Sequence, residues 1–154
     1  MRIVGLALAL ALAAPSLVGS TGCGGGKKPV AAPTVTLYDR LGQKPAIEVV
    51  TDKFLANVVA DSRINAAFAH LDADGVAHLR GMLVDQICAA TGGPCTYTGK
   101  SMKEAHAGMG ITADQFDALV EDLRQALDEA GVQPADRDAL LGALGGMHGD
   151  IVGQ

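Results

Sequence analysis

One stretch constrains the fold more than any other. From Ala89 to Ile111 the helical pattern that fills most of the chain is interrupted by five glycines, Pro94 and Cys95, and a single histidine, His106, sits on a short helical turn between two of the breaks. Connections in compact domains are usually a handful of residues long. A link this long and irregular between apolar helices is more than a joint requires. It makes sense if it must hold His106 against something lying between those helices.

The flanking segments supply the helices. Leu37-Tyr38-Asp39-Arg40-Leu41 reads as a short helical turn stopped by Gly42, and Pro45 suits the first turn of the next helix. Ile47, Val50, Phe54 and Val58 then recur at three- and four-residue steps, with Leu55 and Val59 beside them. Asp61-Ser62 ends that helix, a short one carries Ile64, Ala67 and Phe68, and His70 to Gly75 is a polar connector. The spacing of Val76, Leu79, Leu83, Ile87 and Ala90 predicts a helix from about Val76, with Met82 at its margin, stopped by Gly92-Gly93-Pro94. Beyond the break, Thr112 caps a helix with Phe116, Leu119, Val120, Leu123 and Leu127 in phase. Gly131 ends it, and Pro134 opens a last helix through Leu140, Leu141, Leu144, Met147 and Ile151. No segment alternates as a strand would, so the predicted class is all-α. The short links make two antiparallel helix pairs that face each other across a slot.

Outside that domain, Arg2 followed by the apolar run Ile3 to Ala14 has the form of a secretory leader and is too short to span a bilayer. Ser20-Thr21-Gly22-Cys23 resembles a bacterial lipobox, with Ser20 where leucine is usual. The expected organisation is a leader over 1–22, a flexible Gly/Lys/Pro tether over 23–35 and a folded domain over 36–154. Export and a lipid anchor at Cys23 would place the domain on the periplasmic or outer side of a membrane. In an exported chain Cys88 and Cys95 are candidates for a disulfide across the glycine-proline turn. A formal charge of −5 and a pI near 5.2 leave no basic patch for nucleic acid.

Aromatic residues make up only 3% of the chain, and Phe54, Phe68 and Phe116 fall on three different helices. A large flat ligand in the slot would supply the missing bulk; an Ala/Leu-packed core would need none. His106 can ligate haem iron through one ring nitrogen while the other is oriented by a hydrogen bond. Met102, one turn earlier, shares its helical face. A zinc site from His70, His78 and an aspartate has suitable ligand types, but a polar connector with capping acids is the simpler account.

Thr36-Leu37-Tyr38-Asp39-Arg40-Leu41-Gly42, the Phe54 helix, Phe68, Ala90-Thr91-Gly92-Gly93-Pro94-Cys95-Thr96-Tyr97-Thr98-Gly99 and Met102-Lys103-Glu104-Ala105-His106 together resemble the group 1 truncated haemoglobins, over about Thr36 to Val152. The resemblance implies a two-over-two helical globin with haem b. It puts His106 at the proximal iron ligand and Phe68 at the ring stacking on haem, with Phe54, Tyr97, Met102, Ile111 and Phe116 lining the pocket. It also marks a departure. Many members carry tyrosine where Leu55 stands, and often glutamine where Leu79 or Leu83 stand, and those groups hydrogen-bond the bound oxygen. Here the distal wall is apolar. Met82 is either a gap-filler or an internal sixth ligand, and His78 points to solvent. The expected function is reversible binding of O2, CO or NO. NO dioxygenation with an external reductant is an enzymatic variant, and electron transfer or gas sensing through the same haem is the competing reading.

Overall fold

The computed structural model describes residues 34–154; the leader 1–22, the proposed anchor Cys23 and the tether to residue 33 lie outside the described residues. The described part is helical throughout, with no strand. Helix α1, Leu37–Leu41, begins in a reciprocal cap: the Thr36 hydroxyl accepts from the Asp39 amide, and the Asp39 carboxylate accepts from the Thr36 amide. Gly42 ends it at φ 95°, a conformation that costs a residue with a Cβ. Helix α2, Gln43–Ala60, follows at once. Its end is held by Asp61, whose carboxylate accepts from the Arg63 amide and guanidinium.

A single 3-10 turn, Asn65–Ala67, leads to α3, Ala73–Ala90. The helix begins three residues before Val76, where the hydrophobic pattern starts, because the Asp72 carboxylate accepts from the Gly75 amide at 2.8 Å and organises an exposed first turn. The connector from His70 is correspondingly shorter than its polarity suggests. Helix α4, Met102–His106, is one turn and a half. Helix α5, Ala113–Glu129, starts in a Thr112/Gln115 capping box. The last helical stretch is not continuous: α6 covers Pro134–Gly145 and α7 covers His148–Ile151. The Gly145-Gly146 pair falls at the break, where two residues of poor helix propensity adjoin. The turn lets α7 pack on α4 while α6 stays against α1 and α5.

Helices α2 and α5 form the centre. Ile47, Val50, Phe54 and Val58 meet Ala118, Leu123, Ala126 and Leu127, with Val84, Ile87 and Cys88 from α3 and Leu140 and Leu141 from α6 completing the core. Two ion pairs give the register of α2 on α3: Lys44 with Asp85, and Asp52 with Arg80. The α2 number rises as the α3 number falls, so the two helices are antiparallel, as are α5 and α6 across their short link.

Candidate functional site

The site has two parts. The first is built around His106. Ser101 and Glu104 cap α4 reciprocally, which fixes a helix otherwise too short to hold itself. His106 Nδ1 lies 2.7 Å from the Met102 carbonyl oxygen. A carbonyl can only accept, so Nδ1 is the donor, and in the neutral imidazole this leaves the lone pair on Nε2, the form in which imidazole binds a metal. The segment after His106 is clamped by the C-terminal tail: the Gly110 amide donates to the Gln154 carbonyl, and the Gly153 amide donates to the Ile111 carbonyl. Phe116 is buried and meets the His148 ring edge-on at 4.9 Å. The Gln86 amide of α3 reaches both Met102 Sδ and Met147 Sδ, at 3.3 and 3.4 Å. Here α3, α4 and α7 converge.

A covalent bond ties this shelf to the core. Cys88 and Cys95 form a disulfide with Cα atoms 5.7 Å apart. Gly93 lies inside the loop it closes, where a Cβ would come within 2.7 Å of Cys88 Sγ and 2.5 Å of the Tyr38 ring. Only glycine lets the turn pack this closely. Tyr97 then donates its hydroxyl hydrogen to the Lys100 carbonyl, shaping the approach to α4.

The second part is a cavity of about 410 Å³ between α2, the 3-10 turn and the start of α3. Leu55, Val58, Val59, Asn65, Phe68, Ala69, Leu71, Val76 and Leu79 line it. The only polar side chain among them is Asn65, whose amide is turned toward the Val59 carbonyl at 3.4 Å. Of the ten residues expected at the site, the cavity brings together Leu55, Phe68 and Leu79. His106, Met102 and Phe116 belong to the shelf, and Ile111 to the clamped segment that follows. Phe54 is in the core, with Leu83 packed against it. Met82 and His78 do not line the cavity, and His78 is exposed. Val58, Val59, Asn65, Ala69, Leu71 and Val76 also line the cavity and were not among the expected site residues. Val76 carried a usable signal, since it shares the α3 stripe with Leu79; Asn65, on an irregular turn, carried none.

Residues 36–152 match the bacterial-like globin family. The chain belongs to that family. This globin is 36% identical over 120 residues to the group 1 truncated hemoglobin GlbN of Mycolicibacterium paratuberculosis, covering 78% of this chain and 86% of that one. Its fold is similar to the truncated hemoglobin of Tetrahymena pyriformis in the Fe(III) form, with TM-score 0.73 and 32% identity over 77% of this globin and 99% of that chain. It is also similar to the 2/2 hemoglobin of a Synechococcus species, solved with covalently attached heme, with TM-score 0.70 and 30% identity over 77% and 99% of the two chains. The all-helical architecture read from the sequence is that of these truncated hemoglobins.

Proposed function

We infer that the chain is a haem-binding globin that takes O2 and other diatomic gases. The observation that carries the reading is the pinned imidazole: Nδ1 is committed to the Met102 carbonyl, so Nε2 is presented as a ligand atom. Haem b suits the residues present. An apolar macrocycle matches the apolar walls of the cavity, and Phe68 supplies a ring among them. His106 would hold the haem iron through Nε2, and the bound haem would supply the iron chemistry that takes up a diatomic gas.

The chain's own side chains then set how firmly the gas is kept. Leu55 and Leu79 offer no hydrogen-bond donor, so O2 and CO are distinguished little by the cavity. A hydrogen bond to a charged group is worth about 1.5–3 kcal/mol, roughly ten- to a hundredfold in release rate. Reversible binding is favoured over NO dioxygenation for the same reason, because oxygen must be retained until NO arrives. Export, and attachment to a membrane through Cys23, complete the proposal on the strength of the leader and its Ser20-Thr21-Gly22-Cys23 ending. In cells, radiolabelled fatty acid should enter the chain and be lost on Cys23→Ser.

The test of the haem reading is optical. Purified protein titrated with haem should develop a strong Soret band, and the reduced form should shift on addition of CO. Absence of both would overturn it.

A further inference from the structure

We propose a second metal site in this globin, for a soft monovalent cation of the copper(I) or silver(I) class, held by Met102, Met147 and Gln86. The three side chains come from three separate segments: Gln86 from α3, Met102 from the first position of α4, and Met147 from the turn between α6 and α7. They meet at one point. Gln86 Nε2 lies 3.3 Å from Met102 Sδ and 3.4 Å from Met147 Sδ, and all three residues are half-buried. The site does not depend on the haem reading, since none of the three is asked to touch the iron.

As hydrogen bonding the contact is poor, because a thioether accepts only weakly and Gln86 spends its amide on two of them. What the cluster does gather is donor atoms. Each thioether sulfur is a ligand for a soft metal. A half-turn of the Gln86 amide exchanges Nε2 for Oε1, two atoms nearly alike in size, and sets an oxygen beside both sulfurs. Ligands of one tetrahedral ion, bonded at about 2.3 Å through sulfur and about 2.1 Å through oxygen, stand about 3.6 Å apart. The separations seen need widen by only a few tenths of an ångström to admit the ion.

Donor type and charge select the ion. Among the described residues no group of three His, Cys, Asp or Glu could hold a metal, so zinc and the harder divalent ions find no comparable site. Cys88 and Cys95 are consumed in their disulfide, which leaves thioethers as the soft donors. All three ligands are neutral, so no protein charge offsets that of the ion. The cost of withdrawing an ion from water rises steeply with its charge, which favours a single charge over two.

The experiment uses the haem-loaded chain in its ferrous CO form, in which the iron and His106 are both occupied. Silver(I) serves as a redox-silent probe and copper(I) is added under reductant. Affinity is read by competition with a chromophoric copper(I) chelator, and the ligands by NMR of isotope-labelled methionine methyl groups. A single ion should bind per chain, moving the Met102 and Met147 methyl signals and leaving those of Met82 and Met109 in place. Met102→Leu and Met147→Leu, which roughly conserve volume, should each weaken copper(I) binding by at least about tenfold. Gln86→Ala should weaken it several-fold. Met109→Leu, which removes a thioether that is 46% exposed, should leave it unchanged. Absence of binding, or unchanged affinity in any of the variants at Met102, Met147 or Gln86, overturns the inference. So does zinc(II) moving the same methyl signals, or loss of the CO Soret band in step with added silver, because the metal would then be taking His106 from the haem.

Discussion

The shelf and the cavity both draw on α3, Gln86 at one and Val76 and Leu79 at the other, and are held by different physics. Around His106 nearly every polar group has a partner: a capping box before it, a carbonyl on its Nδ1, a backbone clamp after it and a disulfide behind it. Around Leu55 and Leu79 there is only apolar contact, and Asn65, the one polar side chain, is spent on a backbone carbonyl. Directional bonds place an atom; dispersion and burial place a surface. The comparison teaches that this globin specifies the metal ligand closely and leaves the gas to a wall with no preference of its own.

His106→Ala should break the comparison most severely. The histidine-ligated spectrum should vanish and return when free imidazole is supplied; its survival would show that another residue ligates the iron. Leu55→Tyr tests the other side by installing the missing donor. Stopped-flow measurement of O2 release should show slowing by roughly ten- to a hundredfold, and an unchanged rate would mean that position 55 does not face the ligand.

Opening the clasp with Cys88→Ser and Cys95→Ser together should cost about 2.5 kcal/mol on the chain-entropy model, read by urea denaturation. Haem should then dissociate faster while the O2 release rate barely moves, since the cavity wall is not part of the closed loop. Equal effects on both would erase the distinction between the two regions.

The smallest expected effect concerns the packing of α2 on α5, which lies outside both regions' own linings. Asp122 is 7% exposed on α5, its Oδ2 has no hydrogen-bond partner, and its backbone carbonyl accepts from Asn57 of α2. Burial, reinforced by the negative charge of Asp61, raises its pKa above the ordinary 3.8. The folded state therefore holds this proton more tightly than the unfolded chain does. Its contribution is most favourable below pH 3.8 and is lost as pH rises through the raised value. Asp122→Asn should flatten that part of the stability profile, with a gain over the parent at pH 7 that disappears in acid, measured by thermal unfolding across pH. A profile parallel to the parent's would show that Asp122 is not the group responsible.

Much of this was readable from local signals. Caps, breaks and apolar stripes are properties of a few adjacent residues, so α2, α5 and the interruption around His106 stand out in the sequence. The start of α3 was less legible because Asp72 caps a turn that buries nothing, and hydrophobic spacing is silent where there is no burial. The division of the last helix was missed for a related reason: Ile151 stays in approximate phase although the Gly145-Gly146 pair turns the chain. Among the site residues, Phe54 shows the limit most clearly. It lies on the same helix as Leu55, yet one side chain is in the core and the other in the cavity wall. Spacing alone does not say which of two apolar neighbours faces a ligand.

The sequence by itself determined the helices, their stops, the histidine presented at a break and, through the motifs around it, the family. Those depend on backbone propensity and short-range capping, which act over a turn or two. Only the tertiary structure decided that Nδ1 of His106 is occupied, that Cys88 and Cys95 are joined, and that Arg80 of α3 crosses to Asp52 of α2. Each of these needs two segments brought together by the packing of α2, α3 and α5, and no local pattern carries that distance.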